Sequence, residues 1–289
     1  MARLGYVGLG IMGGPMARHL ATAKHSMTVY NRTTAKADVW VEQHGGARAL
    51  TPREVAEASD VVLMCVGNDD DVRSVVFGAD GILAGLKTGG VLVDHTTASA
   101  TIAREIADAC AKQGCGFVDA PVSGGQAGAE NGQLTIMCGS NDPATFDAIE
   151  LIIATYAKRS KLLGTAGSGQ LAKMVNQICI AGVAQGLSEA LNFAMRAGLN
   201  PDDVVDVISK GAAQSWQMEN RGKTMVRNEF EFGFAVEWMR KDLGICFDEA
   251  SRNGAKLPMT EMVDKFYAEV VAMGGKRWDT SSLIARLTD

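Results

Sequence analysis

Gly8-Leu9-Gly10-Ile11-Met12-Gly13 is the stretch whose reading decides the fold. It closes a short apolar run of β-type residues, 3–9, and opens a helical pattern over residues 12–23. Glycines at this spacing do three different things. The first permits a tight turn, and the second lets backbone amides approach a pyrophosphate. The third lets helix and strand pack closely, while the helix N-terminus supplies positive potential. Glycine-rich turns are common, so the hexapeptide gains its weight from standing between a strand and a helix at the start of the chain. Gly8, Leu9, Gly10, Ile11, Met12 and Gly13 are therefore candidate dinucleotide contacts.

Working outward, a second strand over residues 27–30 ends at Asn31-Arg32-Thr33. An NAD site places an acid near here to hold the adenine ribose hydroxyls. This chain instead offers Asn31, Arg32 and Thr33, donors that suit the 2′-phosphate of NADP. A second reading carries nearly equal weight: Arg32 stacks on the adenine, and NAD or NADP binds. Strands then alternate with helices. Residues 61–66 form an unbroken apolar run, the mark of a buried strand, and Val66 stands at its end. Residues 90–94 form another, followed by His95-Thr96-Thr97 and a helix over 100–113. Further strands are expected at 116–119, 134–138 and 161–163. This alternation predicts an α/β domain with a doubly wound parallel sheet and ligands at the carboxyl ends of its strands. Thr96 stands at such an end, where its hydroxyl and that of Thr97 meet a nicotinamide ribose or cap the next helix.

Between those strands lies Asp119-Ala120-Pro121-Val122-Ser123-Gly124-Gly125. Ser123, Gly124 and Gly125 put one O–H and a group of exposed amides at a strand end, a suitable seat for a small carboxylate. An ordinary glycine-rich loop is the alternative.

Beyond residue 163 the β pattern stops, and helices are predicted over 169–197, 201–210, 216–226, 234–252 and 258–273. Gly198 and Gly254 sit where C′ glycines end helices, Pro201 and Pro258 where N1 prolines start them. The expected division is residues 1–164 and an all-α domain over 165–289, joined by a long interdomain helix. That helix opens with Gly167-Ser168-Gly169-Gln170-Leu171-Ala172-Lys173-Met174-Val175-Asn176-Gln177, and residues 174–188 carry no charge. With no polar face, it reads as a helix buried on all sides. Lys173, Asn176 and Gln177 stand at i, i+3 and i+4 and share one face. Burying an ammonium and two amides without partners is costly, so the helix is expected to present Lys173 to a cleft between the domains. Lys241, in Arg240-Lys241-Asp242-Leu243, reads on spacing alone as a surface cation. Trp216, Trp238 and Met239 read as core packing before pocket lining.

Composition narrows the function classes. The 289 residues carry a formal net charge of −5, with a pI near 5.5 and no dense Lys/Arg cluster, which argues against a nucleic-acid partner. The six cysteines, at 65, 110, 115, 138, 179 and 246, include no CxxC pair. They read as buried free thiols of a reducing, cytoplasmic protein. No apolar run approaches the ~18 residues that span a bilayer, so no membrane role is expected. The four histidines lack metal-ligand spacing, and Ser123 has no evident histidine partner, so neither a metal site nor a nucleophilic triad is expected.

With these residues collected, the sequence resembles the β-hydroxyacid dehydrogenase family, which includes 3-hydroxyisobutyrate dehydrogenase and tartronate semialdehyde reductase. Four segments carry the resemblance, in the family's order and across nearly the whole chain: residues 8–17, 119–129, 167–177 and 241–243. The resemblance implies a Rossmann-type domain followed by an all-helical domain that assembles as a homodimer or homotetramer. It implies a nicotinamide cofactor, a small carboxylate substrate held by Ser123, Gly124 and Gly125, and Lys173 as the catalytic acid and base. Asn176 and Gln177 would orient Lys173 and the substrate. Lys241 would lie near the nicotinamide, against the surface reading that spacing gives it. Gln177 departs from the family's frequent asparagine. The alternatives are an imine-reductase-like enzyme, which would lack a lysine at position 173, and a non-catalytic dinucleotide-binding oligomer, which would have no use for one.

Overall fold

A computed structural model describes residues 2–288. The chain divides into two compact units, Met1–Lys173 and Met174–Asp289, and each is described by itself.

The first unit begins β1 (Arg3–Val7), α1 (Gly13–Thr22), β2 (Ser26–Tyr30), α2 (Thr34–His44), β3 (Ala47–Arg48), α3 (Pro52–Glu57), β4 (Val61–Met64), α4 (Asp69–Phe77) and α5 (Ile82–Gly85). It continues with β5 (Val91–Asp94), α6 (Ala100–Lys112), β6 (Gly116–Asp119), β7 (Val122–Ser123), α7 (Gly125–Glu130), β8 (Leu134–Cys138), α8 (Pro143–Ile153) and β9 (Ala157–Leu162). Six strands form one parallel sheet in the order β3-β2-β1-β4-β5-β6. Period-2 alternation sends Leu4 and Tyr6 into one apolar layer with Met16, Leu20 and Leu63. Val7 goes to the opposite layer with Val62, Met64, Ile102 and Ile106. Both faces are covered, the doubly wound arrangement that the alternation predicts. Strand order reverses beside β1, where β2 lies on one side and β4 on the other. A crevice at the carboxyl ends of β1 and β4 is where such sheets take ligands.

The strands after β6 do not extend this sheet. β7, β8 and β9 make a second, three-stranded sheet in which β7 runs antiparallel to β8. The expectation of one continuous sheet is corrected here, and chain length explains it. Only ten residues, 124–133, lie between β7 and β8, too few for a parallel crossover, which takes a dozen or more residues. β9 starts at Ala157, ahead of the expected 161–163, and it carries Lys158, Arg159 and Lys161 exposed on the edge of the second sheet. Charge on an edge strand blocks further pairing.

α9 (Ser168–Arg196) starts in the first unit and runs on as the first helix of the second. The second unit continues with α10 (Pro201–Ile208), α11 (Trp216–Val226), α12 (Val236–Asn253) and α13 (Pro258–Ala272), then two 3₁₀ turns, Gly275–Arg277 and Thr280–Ile284, and α14 (Ala285–Thr288). Pro201 and Pro258 do open helices, and Gly254 ends α12 in the left-handed region at φ 79°. Ala181 and Ala184 of α9 pack with Val236, Met239 and Leu243 of α12 and Tyr267 of α13. Buried Asp279 ties the unit's end together: it accepts from Arg221 Nε at 3.1 Å, Phe234 N at 2.9 Å and Ser281 Oγ at 2.7 Å.

The expectation of a helix buried on all sides fails within this chain. Val175, Cys179, Val183, Gly186, Ala190 and Phe193 are exposed, at steps of three and four residues that form one stripe. Cys179 is thereby an exposed thiol, while Cys110, Cys115, Cys138 and Cys246 are buried. α9 is also long and apolar enough to cross a membrane, against the reading of its sequence. Its buried residues pack on α12 and α13, as a core helix does. Trp216 and Trp238 are half-exposed and Met239 is fully buried, so of these three Met239 alone packs in a core.

Candidate active site

The glycine turn is built as its spacing demands. Gly8 holds φ +97°, and a Cβ there would run into the carbonyl oxygen of Cys65. A Cβ on Gly13 would run into the carbonyl of Gly8, so strand and helix touch backbone to backbone. Gly10 is different: a Cβ there would meet nothing within 4 Å. Its surroundings are open space at the head of α1, whose first turn carries no acidic side chain and no side-chain cap. Open room and the positive potential of a helix N-terminus without an acidic side chain fit the pyrophosphate of a dinucleotide.

Asn31, at the end of β2, serves this turn directly. Its Oδ1 accepts from Leu9 N at 2.9 Å and its Nδ2 donates to Thr33 O at 3.0 Å. The amide thus pins the glycine turn to the strand end. Arg32 beside it is 86% exposed and pairs with Asp71 Oδ1 at 3.1 Å. Val66 N donates to Thr96 Oγ1 at 3.0 Å, joining the carboxyl ends of β4 and β5. Ser99 caps α6 in place of either threonine, accepting from Ile102 N.

Two titratable groups beneath Thr96 are buried. Asp94 accepts from Thr96 N at 2.8 Å, and burial pushes its carboxyl up to about 7. His95 is pulled down to about 4 by burial and stays neutral. Its Nδ1 donates to Ala120 O at 2.7 Å, since a carbonyl only accepts, and its Nε2 then accepts from Tyr156 Oη at 2.8 Å. With both nitrogens used, His95 is a brace between strand ends, and no metal-binding group of His, Cys, Asp and Glu exists among the described residues.

Ser123 ends β7, and Gly124 and Gly125 take φ +131° and +61° before α7. Both angles favour glycine. What reads as a loop is thus a strand end followed by a short helix, with Gly124 and Gly125 exposed and Ser123 half-buried.

The start of α9 is fixed by a residue to which sequence reasoning gave no role. Asp119 is fully buried at the end of β6. Its carboxylate accepts from Gly167 N at 2.7 Å and from Gln170 N at 2.9 Å. Burial pushes this carboxyl up to about 6, opposed by the same amides. Gly139 and Gly169 leave it room: a Cβ on Gly139 would sit 2.5 Å from Asp119 Oδ1, and one on Gly169 2.8 Å from Oδ2. That explains a glycine at position 169. Hydrogen bonds to a charged group contribute about 1.5–3 kcal/mol each, so this junction holds the helix firmly. An acid at a strand end followed by Pro121 was the available signal.

Lys173 lies one turn into this anchored helix and is 7% exposed. Asn176 Nδ2 donates to Gln177 Oε1 at 2.8 Å, and Gln177 Nε2 donates to Asp242 Oδ2 at 2.6 Å. Asp242, buried on α12, also pairs with Lys241 Nζ at 3.0 Å, and Lys241 lies 5.9 Å from the centre of the Trp238 ring. Gln177 therefore has a defined partner, and Asp242 is a second residue whose role the sequence did not disclose.

Comparison with known proteins gives the chain's family and fold. Residues 3–167 match the family described as the NAD-binding domain of 6-phosphogluconate dehydrogenase. Residues 167–287 match the one described as NAD-binding of NADP-dependent 3-hydroxyisobutyrate dehydrogenase. An uncharacterized oxidoreductase of Shewanella frigidimarina is 61% identical over 287 residues, covering 99% of this chain and 98% of that protein. The 2-hydroxy-3-oxopropionate reductase of Escherichia coli is 34% identical over 285 residues, covering 99% and 97%. Among solved structures, Mycobacterium tuberculosis 3-hydroxyisobutyrate dehydrogenase with L-serine superposes with a TM-score of 0.90 at 28% identity, covering 100% of both chains.

Proposed function

The chain belongs to the β-hydroxyacid dehydrogenase family of NAD(P)-dependent oxidoreductases, and from that premise we propose that it interconverts a small 3-hydroxy acid and its semialdehyde with Lys173 as general acid and base. The observation that carries the residue assignment is the start of α9: a buried lysine on a helix turn locked by Asp119, with Asn176 and Gln177 on the same face. The glycine turn at 8–13 seats the dinucleotide pyrophosphate, with Asn31 holding the turn and Val66 and Thr96 lining its nicotinamide half. A bound nicotinamide dinucleotide supplies or accepts the hydride at its ring. Ser123 and the amides of Gly124 and Gly125 hold the substrate carboxylate. Lys173 gives a proton to the alkoxide that develops during reduction and takes it back in oxidation. Asn176 and Gln177 orient the lysine. Lys241 is assigned to the cofactor on the family resemblance. The test is consumption of NADPH and NADH with a panel of small semialdehydes; binding of the cofactors without turnover of any of them would favour a binding module.

NADP is the preferred cofactor in this reading, through Arg32 and Thr33. Arg32→Ala is expected to raise the KM for NADPH about tenfold, the loss of one charge-assisted contact, and to change that for NADH less than threefold. Equal changes for both cofactors would assign Arg32 to adenine stacking instead.

Cytoplasmic placement belongs to the same reading, supported by six free thiols. So does self-association through the second unit. The exposed apolar stripe on α9, ending at Phe193 with 72% exposure, is a surface that a second copy of the chain would cover. Phe193→Asp is expected to shift the protein to a smaller species in sedimentation. An unchanged sedimentation coefficient would place the interface elsewhere.

A further inference from the structure

We propose that Gln170 is a positioning residue for the reaction: its carboxamide clamps the first turn of α9 to the segment 96–98 and so sets Lys173 against the nicotinamide side of the site. The proposal rests on the reading of Lys173 as the proton donor and goes one residue deeper.

Gln170 is 1% exposed, and both ends of its amide are engaged. Nε2 donates to Thr96 O at 2.7 Å, and Oε1 accepts from Ala98 N at 3.1 Å. The amide orientation is forced, because Thr96 O only accepts and Ala98 N only donates. Both partners lie between β5 and α6, in a segment without sheet or helix bonds of its own. The backbone N–H of Gln170 goes to Asp119 at the end of β6. One residue therefore joins α9 to the ends of two strands. Lys173 follows three positions later, on the adjoining part of the helix surface. In the other direction Thr96 is bonded to Val66, the residue after Cys65, on whose carbonyl Gly8 packs. A continuous line of contacts, carried by the Thr96 hydroxyl and the Gln170 carboxamide, thus runs from the glycine turn to the helix segment that bears Lys173.

Proton transfer needs hydrogen-bond distance, and a misplacement near 1 Å costs about 10²-fold. Gln170→Ala removes the clamp and keeps the lysine. It is expected to lower kcat 10- to 100-fold while the KM for cofactor and for hydroxy acid each change less than threefold. Gln170→Glu keeps the shape. Its ionised carboxylate turns an acceptor towards Thr96 O, and only the protonated form restores the donor. Asp69, Asp94, His95, Asp119, Arg104 and Lys173 are charged or titratable groups beside this junction, and burial of position 170 together with the three carboxylates opposes ionisation of the introduced one more than the two cations favour it. The kcat of Gln170→Glu, relative to wild type, is therefore expected to rise as pH falls.

The experiment compares steady-state kinetics of the full-length wild type, Gln170→Ala, Gln170→Glu and Lys173→Ala from acid to alkaline pH. If Lys173→Ala keeps its activity, the lysine assignment falls and takes the clamp with it. If Lys173→Ala is inactive while Gln170→Ala retains wild-type kcat, the clamp alone is overturned. Should Gln170→Ala not fold, the isosteric variant decides: a pH profile parallel to wild type overturns the proposal.

Discussion

Lys173→Ala is expected to lower kcat by about 10²-fold or more in both directions, the usual cost of removing a group that stabilises a developing alkoxide. The loss should fall on kcat rather than on cofactor affinity, because the turn at 8–13 proposed to seat the dinucleotide is held by Asn31, not by position 173. The helix should remain in place. Its start is held by Asp119 through Gly167 and Gln170, and alanine is the best helix former. Lys173→Met serves as a control that keeps the apolar stem without the ammonium, and should be as inactive as the alanine variant. A folded Lys173→Ala enzyme with more than a tenth of wild-type activity would sink the assignment.

The second large effect separates two glycines three positions apart. Gly13→Ala is expected to damage the fold, since its Cβ would overlap the backbone oxygen of Gly8. Neither atom belongs to a flexible side chain, so strand and helix must part, at a cost of about 1–3 kcal/mol. That corresponds to a fall in the thermal midpoint of several degrees for a chain of this size. Gly10→Ala is expected to leave the midpoint unchanged, because its Cβ enters open space. It should weaken NADPH and NADH binding at least tenfold by occupying the path of the pyrophosphate. Scanning calorimetry and cofactor fluorescence titration measure the two effects. A Gly10→Ala protein that binds both cofactors like wild type would show that the dinucleotide does not approach this turn. A Gly13→Ala protein as stable as wild type would refute the close-packing account.

Local pattern and local geometry agree wherever a reading depended on a few neighbouring residues. The glycine spacing 8-10-13, the apolar runs of β4 and β5, and the Pro201 and Pro258 helix starts all act within one turn or one strand. The shared face of Lys173, Asn176 and Gln177 follows from the helical period alone. These features were legible because one covalent stretch fixes them. Asn31 reads from its neighbourhood as a cofactor contact, and in the structure its amide accepts from the backbone of Leu9 in the glycine turn.

The sequence by itself determined the parallel α/β unit, the helical second half, the glycine turn between β1 and α1, and the shared face of Lys173, Asn176 and Gln177. Tertiary structure alone decided the second sheet, the exposed stripe of α9, and the parts played by Asp119, Gln170 and Asp242. Gln170 meets Thr96 across 74 residues and Gln177 meets Asp242 across 65. Hydrogen bonds over such separations leave no periodic trace in either segment. The same holds for an apolar helix face, whose burial depends on what packs against it and not on its own composition.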